Sequence, residues 1–399
     1  MNGARSGHAS WGGAVSVLTA GFVTVLVGFA SSYPIVVQAA MAMALDATQL
    51  ATMTAALALG MGLTTLVPSV RYRVPVVTAW STPGAALLAT SLPGVPLPEA
   101  VGAFLLCGAL LTLAGATGWF ERWMSRVPLS LASALLAGVL LRFGLDAFGA
   151  LRTAPAVVGA MLAAFLLSRR LSPRFAVPLT LLAGVALALA VPCLRWPADA
   201  AAIGVLPRPL AMPPSWSVAS TLGVALPLFV VTMASQNVPG VAVLRASGYA
   251  GAPISRLVAI TGLATLLLAP FGAFALNLAA ITAALCMGEA AHPDPARRWL
   301  AAAAAGAFYL LIAAFAAPIA ALFTALPREL VVTVAGLALL PTIARGLHTA
   351  LASDAQREPA LVTFLVTASG LTLGGIGSAF WGIVFGAIAL LVWREPTRH

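Results

Sequence analysis

The sequence predicts an all-α integral membrane protein, and three observations carry that prediction. Of 399 residues, 61% are hydrophobic and only 8% charged, and the mean hydropathy is +1.02. Soluble domains carry about a quarter charged residues. Apolar runs long enough to cross a bilayer, about twenty residues each, recur along the whole chain. The arginines are shared unevenly among the loops between these runs.

The unbroken runs are 13–40, 47–70, 99–120, 127–148, 153–168, 174–191, 216–244, 255–270, 298–317, 320–344, 359–374 and 376–393. Two more, 74–90 and 272–288, are apolar but interrupted, and bring the predicted count to fourteen transmembrane segments. Every basic residue is an arginine, 21 in all. With the N-terminus inside, only Arg142, Arg152, Arg195, Arg208 and Arg328 fall in outside loops, which leaves sixteen (21 less 5) on the cytoplasmic side. Cytoplasmic loops are enriched in this way, so both termini are expected in the cytoplasm. The net charge of +10 is then an orientation signal and not a nucleic-acid footprint. The N-terminal MNGARSGHAS meets the first run without the usual small-residue cleavage site, so no signal peptide is expected.

The interrupted runs are third and tenth in order, seven apart. Two halves with an odd number of crossings run in opposite directions, which makes an inverted repeat. The first repeat is placed at about 11–191 and the second at about 216–393. GFASSYPIVV (28–37) in the first run and VTMASQNVPGVAV (231–243) in the eighth echo each other: both set Ala-Ser and polar residues ahead of a proline.

VPVVTAW (74–80) is rich in β-branched residues and contains Pro75; Ser81-Thr82-Pro83 then opens the helix-prone GAALLA. Serine or threonine ahead of a proline is a helix start. GAFAL (272–276) is short and irregular, and Asn277, an equally good cap, is expected to open LAAITAAL. Segments 3 and 10 are therefore each predicted as a short extended strand plus a half-helix. The helix 82–90 would rise about 13 Å, leaving the strand about half of an apolar core of about 30 Å. Both helix N-termini are expected near the midplane, where free N–H groups and helix dipoles favour an anion. Non-helical backbone at that depth is tolerated where it lines a cavity or packs in protein, and the two strands are expected to pair across the pseudo-symmetry axis. A lone break of this kind is commonly only a kink; two in corresponding places point to a transport site.

TAWSTPGAALLA, with SSYP, ASQNVPG, NLAAITAALCMG and HPDPARR, resembles the benzoate/proton symporter family of the BenE type over about residues 11–393. That family is similar in fold to the uracil/proton symporters and the sulfate permeases. The resemblance implies a core domain from spans 1–4 and 8–11 and a gate domain from spans 5–7 and 12–14. It places the ligand between the third and tenth spans, flanked by the first and eighth. It implies a secondary transporter of a bacterial inner membrane, importing benzoate or a related aromatic carboxylate with protons by alternating access and without a cofactor. The alternative is an anion channel or exchanger on the same scaffold.

Polar and aromatic residues at midplane depth are the candidate substrate contacts. They are Ser31, Ser32, Tyr33 and Gln38 in the first span, and Thr78, Trp80, Ser81 and Thr82 in the third. The eighth adds Ser235, Gln236 and Asn237, and the tenth Phe274 and Asn277. Caps and amides supply donors for a carboxylate; Tyr33, Trp80 and Phe274 supply flat walls for a ring. Any single Ser or Thr is often only back-bonded to its own helix. Gln236 and Asn237 are stronger candidates, since adjacent amides in a membrane span are costly without a partner.

The related uracil symporters carry a glutamate on the eighth span, where this chain reads Ser-Gln-Asn. The acids map to loops and span ends. Asp46 has the most apolar surroundings and is the candidate proton carrier, although Asp46-Ala-Thr-Gln also reads as an N-cap. Glu289 is a second candidate, and the proton travelling on the substrate as neutral benzoic acid a third.

HPDPARR (292–298) reads as a rigid cytoplasmic turn and not a metal site, and no metal is expected. Cys107, Cys193 and Cys286 have no ligand spacing and read as apolar packing. Gly370 and Gly374 form a G-x-x-x-G spacing that suits close helix packing in the gate domain or between two copies of the chain, leaving a homodimer open. No nucleophile–base pair or phosphate loop is visible, so the chain does not read as an enzyme.

Overall fold

The computed structural model of the chain describes residues 5–118, 128–190, 206–280 and 282–393. Cys193 and the ends of the predicted runs at 119–120, 127 and 191 lie outside them. In chain order the elements are α1 (Arg5–Ala42), α2 (Ala47–Tyr72), β1 (Thr78–Trp80), α3 (Thr82–Ser91), α4 (Leu97–Ala116), α5 (Leu129–Gly149), α6 (Pro155–Leu171) and α7 (Ala176–Ala190). There follow α8 (Val218–Ala246), α9 (Ile254–Leu268), β2 (Leu276–Leu278), α10 (Ala283–Met287), α11 (Trp299–Ala314), α12 (Ala316–Ala325), α13 (Arg328–Leu351), α14 (Arg357–Ala368) and α15 (Ser378–Val392). Seven of the described helices are long and apolar enough to cross a membrane.

Small residues bring the long helices together. On α4, Gly108 and Gly115 face Leu266 and Ala259 of α9, while Gly262 of α9 faces Thr112 of α4. On α11, Gly306 faces Leu66 and Gly62 of α2. In an apolar solvent no hydrophobic force joins helices, so close backbone approach through such residues carries much of the association. Helices α5 and α13 cross antiparallel: Gly336 abuts Phe143, and Gly346 abuts Ser133 and Ala137.

Three expectations need correction. Asn277 does not cap a helix. It sits in the middle of β2 opposite Ala79, and the helix after it is only five residues, Ala283–Met287. Acceptors from α9 and α8 hold this stretch extended: Thr265 Oγ1 takes the Leu276 N–H at 2.9 Å and Asn237 Oδ1 takes the Leu278 N–H at 3.0 Å. Second, the runs 298–317 and 320–344 are divided differently. The chain bends by 69° between α11 and α12, and α13 starts only at Arg328, after Pro327. Third, Gly370 and Gly374 pack against no helix among the described residues; they turn the loop between α14 and α15 with φ of 69° and 59°, which favours glycine. The close packing there falls to Gly382 and Gly386 of α15, which face Thr367 and Thr363 of α14.

Candidate functional site

The centre of the molecule is the antiparallel pair β1–β2, with Thr78 opposite Leu278 and Trp80 opposite Leu276. Ser81 N–H donates to Ala275 O and Ala279 N–H to Val77 O, each at 2.9 Å, so the pairing extends past both strand ends. The buried Thr78 hydroxyl ties β1 to α2 through Thr64 at 2.6 Å and Thr65 at 2.8 Å. Backbone that would cost several kcal/mol if left unpaired in lipid is thus satisfied inside the protein.

Directly after β1, Ser81 caps α3. Its hydroxyl oxygen accepts from Gly84 N–H at 3.0 Å and from the Thr232 hydroxyl at 3.0 Å. Pro83 has no N–H, and Ala85 N–H bonds to Ser81 O at 2.7 Å. The first turn therefore keeps only the Thr82 N–H for a ligand, together with the helix dipole. The Ser81 side chain is consumed by the cap, and Asn277, in β2, contributes no second helix end.

Beside this first turn lies a cavity of about 440 Å³, within the size range of small-molecule sites. One wall comes from α1 (Ser31, Ser32, Phe29), β1 (Trp80), α3 (Thr82, Pro83), α8 (Ser235, Gln236) and Thr282 just before α10, with Tyr309 of α11. The facing wall is α5 (Leu129, Ser133, Leu136) and α13 (Leu339, Thr342, Arg345, Thr349). Ser235 and Gln236 project from a π-helical turn, Met233–Asn237. Such a turn widens the helix and is frequent at functional sites. Their side chains make no hydrogen bond to other described residues. The aromatic wall is braced: Phe29 stacks on Tyr33 with centroids 4.5 Å apart and meets Trp80 edge-on at 5.3 Å.

A profile of the family described as benzoate membrane transport protein matches residues 13–392. The chain belongs to that family. It is 48% identical to the inner membrane protein YdcO of Escherichia coli (strain K12) over 94% of this chain and 95% of the relative. It is 40% identical to the benzoate membrane transport protein of Acinetobacter baylyi (strain ATCC 33305 / BD413 / ADP1), over 96% of each. Among solved structures it resembles SLC26A9 with a TM-score of 0.59 at 12% identity, covering 96% of this chain and 66% of that one. It also resembles the transmembrane domain of a cyanobacterium bicarbonate transporter, BicA, with a TM-score of 0.51 at 13% identity, covering 96% and 97%. At these identities the likeness is one of fold. The family is one of membrane transport proteins and not of enzymes.

Within this benzoate membrane transport family member, the predicted site residues divide. Ser31, Trp80, Thr82, Ser235 and Gln236 line the cavity, as does Ser32. Tyr33, Gln38, Thr78, Ser81, Asn237, Phe274 and Asn277 do not. Tyr33 is fully buried with its hydroxyl on Thr54 at 2.7 Å. Asn237 serves β2, Phe274 packs near Phe104 at 6.1 Å, and Asn277 is buried with Oδ1 lacking a partner. Gln38 likewise has an unpartnered Nε2. Asp46 lies away from the cavity and forms a full capping box with Gln49 at the start of α2. Among the lining residues that the sequence candidates did not include are Ser133, Thr282, Thr342, Arg345 and Tyr309. For Ser133, Thr342 and Arg345 the signal in the sequence was helix periodicity on α5 and α13, elements that carry no interruption to draw the eye.

Proposed function

We propose that the chain is a secondary transporter that imports benzoate or a related aromatic carboxylate across a bacterial inner membrane by alternating access. The observation that carries this reading is the lining of the cavity: aromatic walls, polar groups without protein partners, and no carboxylate among the described residues. A flat ring bearing one negative charge suits that lining. The relative from Acinetobacter baylyi, a benzoate membrane transport protein, lends the substrate.

The architecture proposed for this work is fourteen segments in a seven-plus-seven inverted repeat, with broken segments 78–91 and 276–287 third and tenth. The antiparallel β1–β2 pair supports it, and so does an exchange: the fourth segment of the first half packs on the second of the other half, α4 on α9, as α11 packs on α2. The core domain would hold α1–α4 and α8–α12, and the gate domain α5–α7 and α13–α15. With both termini cytoplasmic, the start of α5 and the end of α13 lie on the cytoplasmic side, so a cavity lined by Leu129, Ser133, Arg345 and Thr349 opens inward.

Proton coupling belongs to the proposal, but Asp46 is a poor carrier: it is a helix cap away from the cavity. Neither an acid nor a histidine lines the cavity among the described residues, so none of the lining side chains offers itself as a proton carrier. The test is saturable uptake of labelled benzoate into proteoliposomes under a pH gradient, above that of protein-free liposomes. Accumulation against the benzoate gradient supports the symporter; downhill flux alone points to a channel or exchanger, and no saturable flux sinks the reading.

A further inference from the structure

We propose that Arg345 is the counter-charge for the substrate carboxylate at the inner mouth of the cavity. The inference rests on the transport reading above and adds a residue that the broken segments do not contain. Arg345 is the one charged side chain among the described residues lining the cavity. It makes no ion pair or hydrogen bond with any described residue; the nearby Arg357, by contrast, is paired with Asp354. No acidic residue lines the cavity among the described residues.

Its position follows from helix geometry. Ala338, Thr342, Arg345 and Thr349 recur every three or four residues, so they form one stripe of α13 turned to the cavity. Gly346 seats this turn against Ser133 O and Ala137 Cβ of α5, each 3.3 Å from where a Cβ would stand. Arg345 is exposed, so its guanidinium avoids the cost of a buried charge. Its planar fork matches a carboxylate with two parallel hydrogen bonds.

The chemistry of the two walls differs as a result. The α1–β1–α3–α8 wall offers hydroxyls, an amide and the Thr82 N–H, while the α13 wall offers a full positive charge. A carboxylate reaching the mouth passes from weak neutral donors to a charged one. Arg345 thereby selects anions over neutral aromatics and draws the anion toward the cytoplasm.

The test is equilibrium binding of radiolabelled benzoate to purified protein, at low and high sodium chloride, for the natural chain, R345Q and R345K. Gel filtration checks that each variant is folded and monodisperse. R345Q is expected to bind about tenfold more weakly at low salt and to lose the salt dependence seen with the natural chain, because that dependence reports a screened charge. R345K, which keeps the charge and loses the fork, should fall between the two and keep the dependence. Unchanged affinity in R345Q, or weaker binding with the salt dependence intact, overturns the role of Arg345 alone. A natural chain that binds no benzoate overturns the transport reading, and this inference with it.

Discussion

Trp80 donates its indole N–H to Ser32 Oγ at 2.9 Å, and Ser32 donates in turn to Gly28 O at 2.7 Å. This two-step chain fixes a ring that lines the cavity, and joins β1 to α1. Ser32→Ala strands a buried indole N–H, at a cost of about 1–3 kcal/mol. The variant should bind benzoate about five- to tenfold more weakly, that is by about 1–1.4 kcal/mol. Adding Trp80→Phe should then cost little more, because the stranded donor is gone. Additive losses in a double-mutant cycle of binding constants would show the two residues to be independent.

Asn237 is an anchor for β2. Its Oδ1 takes the Leu278 N–H, and its Nδ2 reaches Met233 Sδ at 3.3 Å. Asn237→Leu should lower stability by about 1–3 kcal/mol, since it leaves a buried backbone donor unpaired. The thermal midpoint in detergent should fall, and benzoate affinity in the surviving folded protein should drop with it. A variant as stable as the natural chain would detach Asn237 from the strand.

Gln236 is its neighbour and its opposite, half-buried and free at the cavity. Gln236→Ala should raise the KM for uptake about tenfold, a loss of about 1.4 kcal/mol, and leave the thermal midpoint within about a degree of the natural chain, as expected of a change with a stability effect below about 0.5 kcal/mol. Uptake kinetics and thermal shift measured on the same preparation separate the two effects; an unchanged KM would remove Gln236 from the site.

Asp46 holds α2 by reciprocal bonds: its carboxylate accepts from Gln49 N–H at 2.8 Å, and Gln49 Oε1 accepts from Asp46 N–H at 3.0 Å. Asp46→Ala should cost about 1 kcal/mol of stability. Its uptake should follow the same dependence on pH as the natural chain. A flattened pH profile would restore Asp46 as the proton carrier.

Gly306 lets α11 lie against α2, where an added Cβ would stand 2.8 Å from Leu66 Cβ and 3.0 Å from Gly62 O. Gly306→Ala should destabilise by about 1–3 kcal/mol through overpacking, read as a lower thermal midpoint. An unshifted midpoint would mean that the helices can part without penalty.

How far the sequence shows all this depends on where the controlling partner lies. The β-branched run around Thr78 and the Ser-Thr-Pro after it are local signals, and β1, the Ser81 cap and α3 stand where those signals stand. Asn277 misleads because its surroundings are set from afar. Asn is a good cap in isolation, but Thr265, Asn237 and β1 claim the backbone around it first. Asp46 shows the reverse: the D-x-x-Q pattern alone spells the capping box. The Gly370–Gly374 spacing fails because spacing says nothing about φ, and both glycines turned out to be loop residues. Arg345 was visible only as one more cytoplasmic arginine. That it faces a cavity follows from the crossing of α5 and α13, a contact between residues about two hundred positions apart.

The most direct measurement is a structure of the chain with 4-iodobenzoate bound, the iodine located by anomalous scattering. The ring is expected between Trp80 and Tyr309, with its carboxylate within hydrogen-bond reach of Thr82 N–H, Gln236 or Arg345. Iodine density elsewhere, in a preparation that transports benzoate normally, would contradict the assignment of this cavity.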